Sequence, residues 1–379
     1  MKYSNIKNKK VLLRLDLNVP INKGKIEDDY RISASLPTIE ILLKNKNQII
    51  ILSHLGDKGE SISPVYRLLA KYIKSNFNQN LNLIESNDIK VVKKEIENIF
   101  KNKSNRLVLL ENIRNFKGEK ENSTILARNL ASLAQVYVYD AFAVAHRKHA
   151  SVVGVAKYIS HCVGPLILSE ISGLKYTQKI SPKTLIILGG AKISTKLPLI
   201  DKYIDSGATV FVGGAMAHNI MLTQGISIGK SLYDKDMNNI TLSKKKSFKT
   251  NRLYIPYDYV TDNGKVGNTA QILKNQSIMD LGPETFSMIK KLIDSHKVII
   301  MNGPLGLYEK GFDKGSVAII KYLSSDKNKD KITIAGGGDT VTLIDRLKLN
   351  KRLTYVSTGG GAMLYYMENG SLPGIESNK

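Results

Sequence analysis

Glycine turns recur through the second half of the chain in a pattern suited to holding an anion. GGAKISTK (189–196), the Gly213-Gly214 pair, NGPLGLYE (302–309), GGGDT (336–340) and STGGGA (357–362) each follow a short apolar run. Bare glycines ahead of a helix offer backbone N–H groups to a phosphate, and the helix N-terminus adds positive potential. A helix opening within GGAKISTK puts Lys192 and Lys196 on one face of its first turns. Like charges repel at that spacing and cations are disfavoured there, so a bound anion would compensate. The pair also reads as two surface lysines of a Lys-rich chain. Asp339 is electrostatically wrong in a phosphate cradle unless a cation lies between, which implies Mg²⁺. Its alternative role is an ordinary N-cap of a helix over 341–347. Glu309 is suited to accept from ribose hydroxyls. The G-x-x-x-x-G-K-[ST] spacing of a P-loop is absent.

The first half carries polar side chains where the second carries glycines. Asp16 and Asn18, Ser53 and His54, Glu111 and Asn112, and Asp140 stand at the ends of apolar runs. Arginine is scarce, ten of the 56 basic residues, and Arg31, Arg114 and Arg147 fall in these neighbourhoods. Guanidinium forks bind carboxylate and phosphate bidentately. Asp16 and Asn18 suit a ligand hydroxyl and would orient the arginines. His146 and His149, three apart, have a spacing open to a metal, but no third ligand accompanies them; a phosphate-facing or structural role is the alternative. His161, His218 and His296 have nothing to single them out.

These residues need a scaffold that presents strand ends. Short Val- and Ile-rich runs at 11–17, 48–52, 107–110 and 136–139, and at 184–188, 209–212, 297–301, 332–335 and 353–356, read as strands. Amphipathic stretches at 33–43, 65–73 and 124–133 read as helices between them. Mostly apolar strands separated by helices predict parallel sheets covered on both faces. The fold class is therefore α/β, with two doubly wound, Rossmann-like lobes, and ligands are expected outside the carboxyl ends of the strands. The lobes are expected to span 1–165 and 182–367, joined near Gly164-Pro165 by a hinge helix within 166–181.

With 379 residues there is ample chain for two domains. The formal net charge is +23, with 56 Lys+Arg against 33 Asp+Glu. That charge invites a nucleic-acid or anionic-membrane partner. Lysine makes up most of it and mingles with Asn and Ile, the bias of an AT-rich genome, so no specific nucleic-acid partner is expected. The one cysteine, Cys162, excludes internal disulfides and Cys-based zinc sites. The apolar run after the basic start is broken by Arg14 and Asp16, unlike a signal peptide. Nothing approaches the roughly 18 uninterrupted apolar residues of a membrane span. A cytoplasmic protein without membrane partners is the expectation.

Taken together, LRLDLNVP (13–20), DDYRISASLPTI (28–39), SHLG (53–56), ENIRNFKGE (111–119), DAFAVAHRKHAS (140–151) and the glycine motifs lie in the order and near the spacing of phosphoglycerate kinase. The resemblance runs from about residue 10 to LPGI (372–375). It implies a two-lobed, usually monomeric glycolytic kinase that transfers a phosphoryl group between ATP and 3-phosphoglycerate, giving ADP and 1,3-bisphosphoglycerate, with Mg²⁺. Residue by residue, it implies that Asp16, Leu17, Asn18, Arg31, His54, Leu55, Gly56, Arg114, His146 and Arg147 bind the phosphoglycerate. Gly189, Gly190, Lys192, Lys196, Gly213, Asn302, Glu309, Gly337, Gly338, Asp339 and Thr340 would bind nucleotide. Arg31, Lys192 and Lys196 would be catalytic and Asp339 the Mg²⁺ ligand. The tail, 368–379, would fold back on the first lobe. The acceptor carboxylate is already ionised at pH 7, so no general base is needed; positioning and charge neutralisation on hinge closure would carry the reaction.

The chain departs from the family at three places. The family's HLGRP is HLGDKG here, so Asp57 stands where an arginine helps hold the substrate phosphate; Lys58 and Arg67 are candidate substitutes. Asn115 replaces an aromatic after Arg114, and Ala143 a glycine. A polyanion binder, or a fold-alike that binds nucleotide without turnover, are the competing readings. The first calls for Arg and aromatics interleaved on a basic face, whereas Trp is absent and the arginines sit at strand ends.

Overall fold

The computed structural model of the chain describes residues 2–57, 59–237, 242–268 and 272–378. They form two compact units, Met1–Ser172 with Ser371–Lys379, and Gly173–Gly370.

The first unit is built on β1 (Lys10–Leu15), β2 (Gln48–Leu52), β3 (Leu81–Ile84), β4 (Leu107–Leu110), β5 (Val136–Asp140) and β6 (His161–Val163). All pair in parallel, in the order β3-β4-β2-β1-β5-β6. Every residue of β4 and β5 is buried, as a parallel sheet covered on both faces requires. Its helices are α1 (Tyr30–Lys44), α2 (Ser63–Phe77), α3 (Ile89–Lys101) and α4 (Thr124–Ala131). α2 buries Val65, Leu69 and Ile73, and α3 buries Val92, Ile96 and Phe100, one face in each. The Asp88 side chain caps α3 by accepting from the Lys90 N–H at 2.8 Å. The chain builds β2–β4 on one side of β1 and β5–β6 on the other. This reversal opens a crevice at the carboxyl ends beside β1.

Asp140, at the end of β5, fastens elements together. It is fully buried and accepts from the Thr38 hydroxyl and from the Ile167 N–H at 3.0 Å, in the first turn of α5 (Pro165–Leu174). Burial pushes its carboxyl up to about 7. The C-terminal residues belong to this unit: the Gly374 N–H donates to Ala145 O at 2.8 Å, and Asn378 Nδ2 donates to Val152 O at 2.8 Å.

The second unit contains β7 (Thr184–Leu188), β8 (Thr209–Val212) and β9 (Leu253–Tyr254), then β10 (Asp258–Thr261), β11 (Val266–Asn268) and β12 (Ile278–Leu281), and finally β13 (Val298–Asn302), β14 (Ile332–Gly336) and β15 (Tyr355–Val356). Six of these form a parallel sheet ordered β9-β8-β7-β13-β14-β15. By rank within this sheet the order is 3-2-1-4-5-6, that of dinucleotide-binding folds, with the switch point between β7 and β13. Helices α6 (Leu197–Asp205), α7 (Ala215–Thr223), α8 (Pro283–Ser295), α9 (Lys314–Leu323) and α10 (Gly338–Arg346) lie between the strands, and α11 (Gly360–Asn369) follows the last of them.

The α/β class with two parallel sheets agrees with the sequence expectation. The edge strands β3, β6 and β9 and the antiparallel sheet β11-β10-β12 were not anticipated. The edge strands are short runs of two to four residues that carry no periodicity to read. The antiparallel sheet had a signal: Asn263-Gly264 lies at the β10–β11 turn, where Gly264 adopts left-handed backbone with φ 78°, and Asn-Gly is a strong hairpin marker.

Candidate active site

The crevice of the first unit is lined with guanidinium groups. Arg14, inside β1, is 1% exposed; its Nε donates to Ser151 Oγ at 3.0 Å, and one terminal nitrogen donates to Leu15 O. Ser151 Oγ donates on to Glu119 Oε1 at 2.6 Å, and the Ser151 N–H donates to Glu119 Oε2 at 2.9 Å. Burial raises the Glu119 carboxyl and Arg14 opposes the shift. Sequence reasoning assigned no role to Arg14, Ser151 or Glu119. The available signal was a charged residue inside an apolar strand, which needs a partner when buried.

Asp16 follows β1 and is 4% exposed. Its Oδ2 lies 3.2 Å from an Arg31 terminal nitrogen, and its Oδ1 accepts from the Asn18 N–H at 3.2 Å. Burial opposes its ionisation, but Arg31 and neighbouring cations outweigh burial and hold the carboxyl below its ordinary value. Arg31 also donates to Asn18 O at 2.7 Å, while Asn18 Oδ1 accepts from the Gly56 N–H at 3.0 Å. Asn18 thus holds Arg31 through its backbone and the SHLG loop through its side chain. Leu17 and Leu55 point into the core, so only their backbones border the crevice; the Leu17 N–H donates to Ser53 Oγ at 2.9 Å.

His54 Nδ1 lies 3.7 Å from Asp16 Oδ1 and 3.5 Å from an Arg14 terminal nitrogen. Burial first, then Arg14, Arg114 and Arg147, hold its pKa well below the ordinary value against Asp16. His54 is therefore neutral at pH 7, and its contact with Asp16 is no ion pair. His146 is lowered by burial and Arg147, and His149 by the same causes to about 4. Among the described residues no group of three or more His, Cys, Asp or Glu is placed to hold a metal.

Arg114 and Arg147 differ. The Arg114 side chain is 3% exposed and donates to Gly56 O and to the Asp57 carboxylate. The half-buried guanidinium of Arg147 has no hydrogen-bond or ion-pair partner among the described residues. Of the two candidate substitutes for the missing arginine, Lys58 lies outside the described residues and Arg67 is exposed on α2.

In the second unit the lysine pair separates. GGAKISTK forms bends and turns, and α6 begins only at Leu197. Pro198 gives the reason: a helix running through this segment would bury it in the interior, where it removes a hydrogen bond and clashes with the preceding turn, whereas the first turn accepts proline. Lys192 is exposed and lies 3.6 Å from Asp236. Lys196 is 9% exposed, and its Nζ donates to Gly189 O at 2.6 Å, Asn302 Oδ1 at 3.2 Å and Asn302 O at 3.3 Å. Gly189 follows β7 and Asn302 ends β13, so a cation is buried at the switch point. Burial lowers its pKa to about 8, with Asp339 acting the other way.

Some glycines serve packing. A Cβ on Gly189 would lie 2.0 Å from Pro304 O, so this glycine lets the loops after β7 and β13 touch. Gly213 packs against Leu305; Gly190 and Gly214 border the cavity beside it. Gly337, the N-cap of α10, has φ 101, and nothing lies within 4 Å of a Cβ on Gly338, so the first turn of α10 has room for a ligand. Thr340 is fully buried, and its Oγ1 accepts from the Gly303 N–H at 3.0 Å, tying α10 to β13.

A cavity of about 200 Å³ adjoins these turns. Ala191, Gly214, Met221, Tyr259 and Leu305 give it apolar walls, and Glu309 and Asp339 reach it. The unanticipated antiparallel sheet supplies Tyr259 and Met279. His218 also lines it, with Nδ1 2.5 Å from Leu232 O and its pKa lowered by burial, a role no sequence pattern marked. Apolar walls with a few polar groups suit a nucleobase and its sugar. Asp339 is not the N-cap: it is exposed in the first turn of α10, and its Oδ1 accepts from the Tyr308 hydroxyl at 2.8 Å. One carboxylate beside a phosphate cradle fits Mg²⁺, which takes one or two carboxylates and fills its shell with phosphate oxygens and water.

A crevice rich in guanidinium groups in one unit, and a switch-point cavity with a buried lysine in the other, define an α/β phosphotransferase acting on small anions. The family model for phosphoglycerate kinase matches residues 1–370. A relative named phosphoglycerate kinase from Buchnera aphidicola subsp. Schizaphis graminum is 38% identical over 394 residues, covering 98% of this chain and 96% of its own. The solved structure of phosphoglycerate kinase from Coxiella burnetii is 34% identical with a TM-score of 0.79, covering 100% of this chain and 98% of its own. That from Pyrococcus horikoshii is 28% identical with a TM-score of 0.85, covering 98% and 96%. The chain belongs to the phosphoglycerate kinase family. Among the described residues no helix is long and apolar enough to cross a membrane.

Proposed function

We propose the following division of labour for this family's reaction, reversible phosphoryl transfer between ATP and the carboxylate of 3-phosphoglycerate. The first unit binds the acceptor. Asp16 takes its hydroxyl, Arg31 its carboxylate, and Arg114, Arg147 and the neutral His54 and His146 its phosphate. The second unit binds nucleotide, with the base and ribose in the cavity near Glu309 and the phosphates along Lys196 and the first turn of α10. Mg²⁺, held by Asp339 and the nucleotide phosphates, supplies charge neutralisation at the transferred group.

The acceptor carboxylate is ionised at pH 7 and attacks without a base. Arg31 and Lys196 compensate the charge that spreads over the phosphoryl oxygens, in surroundings where water is displaced. Movement of the units would bring donor and acceptor into line. Lys192, exposed beside Asp236, is left a secondary role. The protein is proposed to act as a cytoplasmic monomer, in keeping with a single, free, buried cysteine.

The observation that carries this reading is the buried Lys196 ammonium at the switch point of a sheet in dinucleotide-binding order. The test is a coupled assay of purified protein with ATP, Mg²⁺ and 3-phosphoglycerate. Absence of turnover refutes the assignment.

A further inference from the structure

Arg114 is buried among cations. Its proton affinity is lowered by burial and by Arg147 and Arg14, and Asp57 acts the other way. Among the described residues Asp57 is the one carboxylate within ion-pair distance of it. The two sides of the pair are unequal: the arginine side chain is 3% exposed and the aspartate 72%. A fixed, desolvated guanidinium is therefore met by a carboxylate reaching in from solvent. Lys120 Nζ donates to Asp57 O at 3.1 Å and Arg114 donates to Gly56 O, which hold the loop in place beneath the carboxylate. A carboxylate and a phosphate compete for the same guanidinium fork.

We propose that Asp57 is an internal counter-anion that occupies Arg114 in the free protein and is displaced by the phosphate of the acceptor, so that it sets the affinity for that group. The inference rests on the assignment of Arg114 to the acceptor phosphate. Where the family's arginine adds an attractive contact, this loop presents a competitor of opposite sign. The consequence is weaker binding and faster release of both phosphoglycerates, with the reacting carboxylate end untouched.

The experiment is a double-mutant cycle of Asp57→Asn and Arg114→Gln, read by calorimetric binding of 3-phosphoglycerate and of inorganic sulfate, and by KM and kcat. Displacing an ion pair whose carboxylate stands in solvent costs about 1 kcal/mol, which is about five-fold in Kd. Asp57→Asn is expected to tighten both ligands about five-fold and to lower KM for 3-phosphoglycerate with kcat equal or reduced. The gain should vanish in the Arg114→Gln background. Unchanged affinity in Asp57→Asn overturns the proposal. A gain that persists without Arg114 also overturns it, since the effect is then a general change of field. If the parent neither binds nor turns over 3-phosphoglycerate, the functional assignment has failed, and the sulfate titrations alone decide whether Asp57 competes for Arg114.

Discussion

Replacing Lys196 by methionine separates what the buried ammonium does for the fold from the part proposed for it in the reaction. The side chain is 9% exposed with three oxygen contacts at 2.6, 3.2 and 3.3 Å. A drop from 10.5 to about 8 in its pKa means that burying the charge opposes folding by about 3 kcal/mol below pH 8, at about 1.4 kcal/mol per pH unit. Methionine removes that penalty and also strands oxygens whose hydrogen bonds contribute about 1 kcal/mol each. The opposing effects are of similar size, so K196M should unfold within about 2 kcal/mol of the parent at pH 7, measured by urea titration. Turnover should behave otherwise, because a preorganised cation facing developing phosphoryl charge contributes about 10²–10³ in kcat. Lys192→Met, with its exposed pair, should change stability by less than about 0.5 kcal/mol. The pH dependence has a definite sign. The folded protein binds this proton more weakly, so between about pH 8 and 10.5 the unfolded chain carries more of it, and this group's contribution to stability rises with pH. The parent should gain on K196M across that window, while its nucleotide affinity falls as the ammonium loses its charge. A K196M protein that keeps more than a tenth of parental turnover refutes the reasoning. So does one destabilised by more than about 4 kcal/mol at pH 7, beyond the three lost hydrogen bonds.

Three further outcomes are expected. Arg31→Ala should cut turnover by about 10²-fold or more and destabilise by about 1–3 kcal/mol through the stranded Asp16; intact turnover removes Arg31 from the reaction. Arg14→Met should destabilise by about 3 kcal/mol at pH 7, and the loss should shrink as the pH falls and the raised Glu119 carboxyl takes a proton, which melting curves across an acid pH series check. Asp339→Asn should leave the melting temperature unchanged, since the side chain is exposed, while weakening Mg²⁺ binding to the protein–nucleotide complex about ten-fold or more; unchanged Mg²⁺ titration curves refute its role as ligand.

Much of this protein is written locally. The Val- and Ile-rich runs and their intervening amphipathic stretches determine the two parallel sheets, because a strand buried on both faces has to be apolar throughout. The contrast between polar strand ends in one half and glycine turns in the other marks where ligands are proposed to bind, because α/β sheets expose those ends. Pro198 and Asn263-Gly264 are local signals too, of the start of α6 and of the β10–β11 hairpin, although neither feature was anticipated. Partnership is not written locally. Lys196 meets Asn302 106 residues away, Arg114 meets Asp57 57 residues away, and Arg14 meets Ser151 137 residues away. Two lysines equivalent in sequence end in opposite surroundings, one in solvent and one buried at a switch point. Residue type and spacing fix which groups are present and which way a local element turns. Burial and counter-ions depend on which distant strand ends the topology brings side by side, and these decide whether a charge is a surface decoration or a working cation.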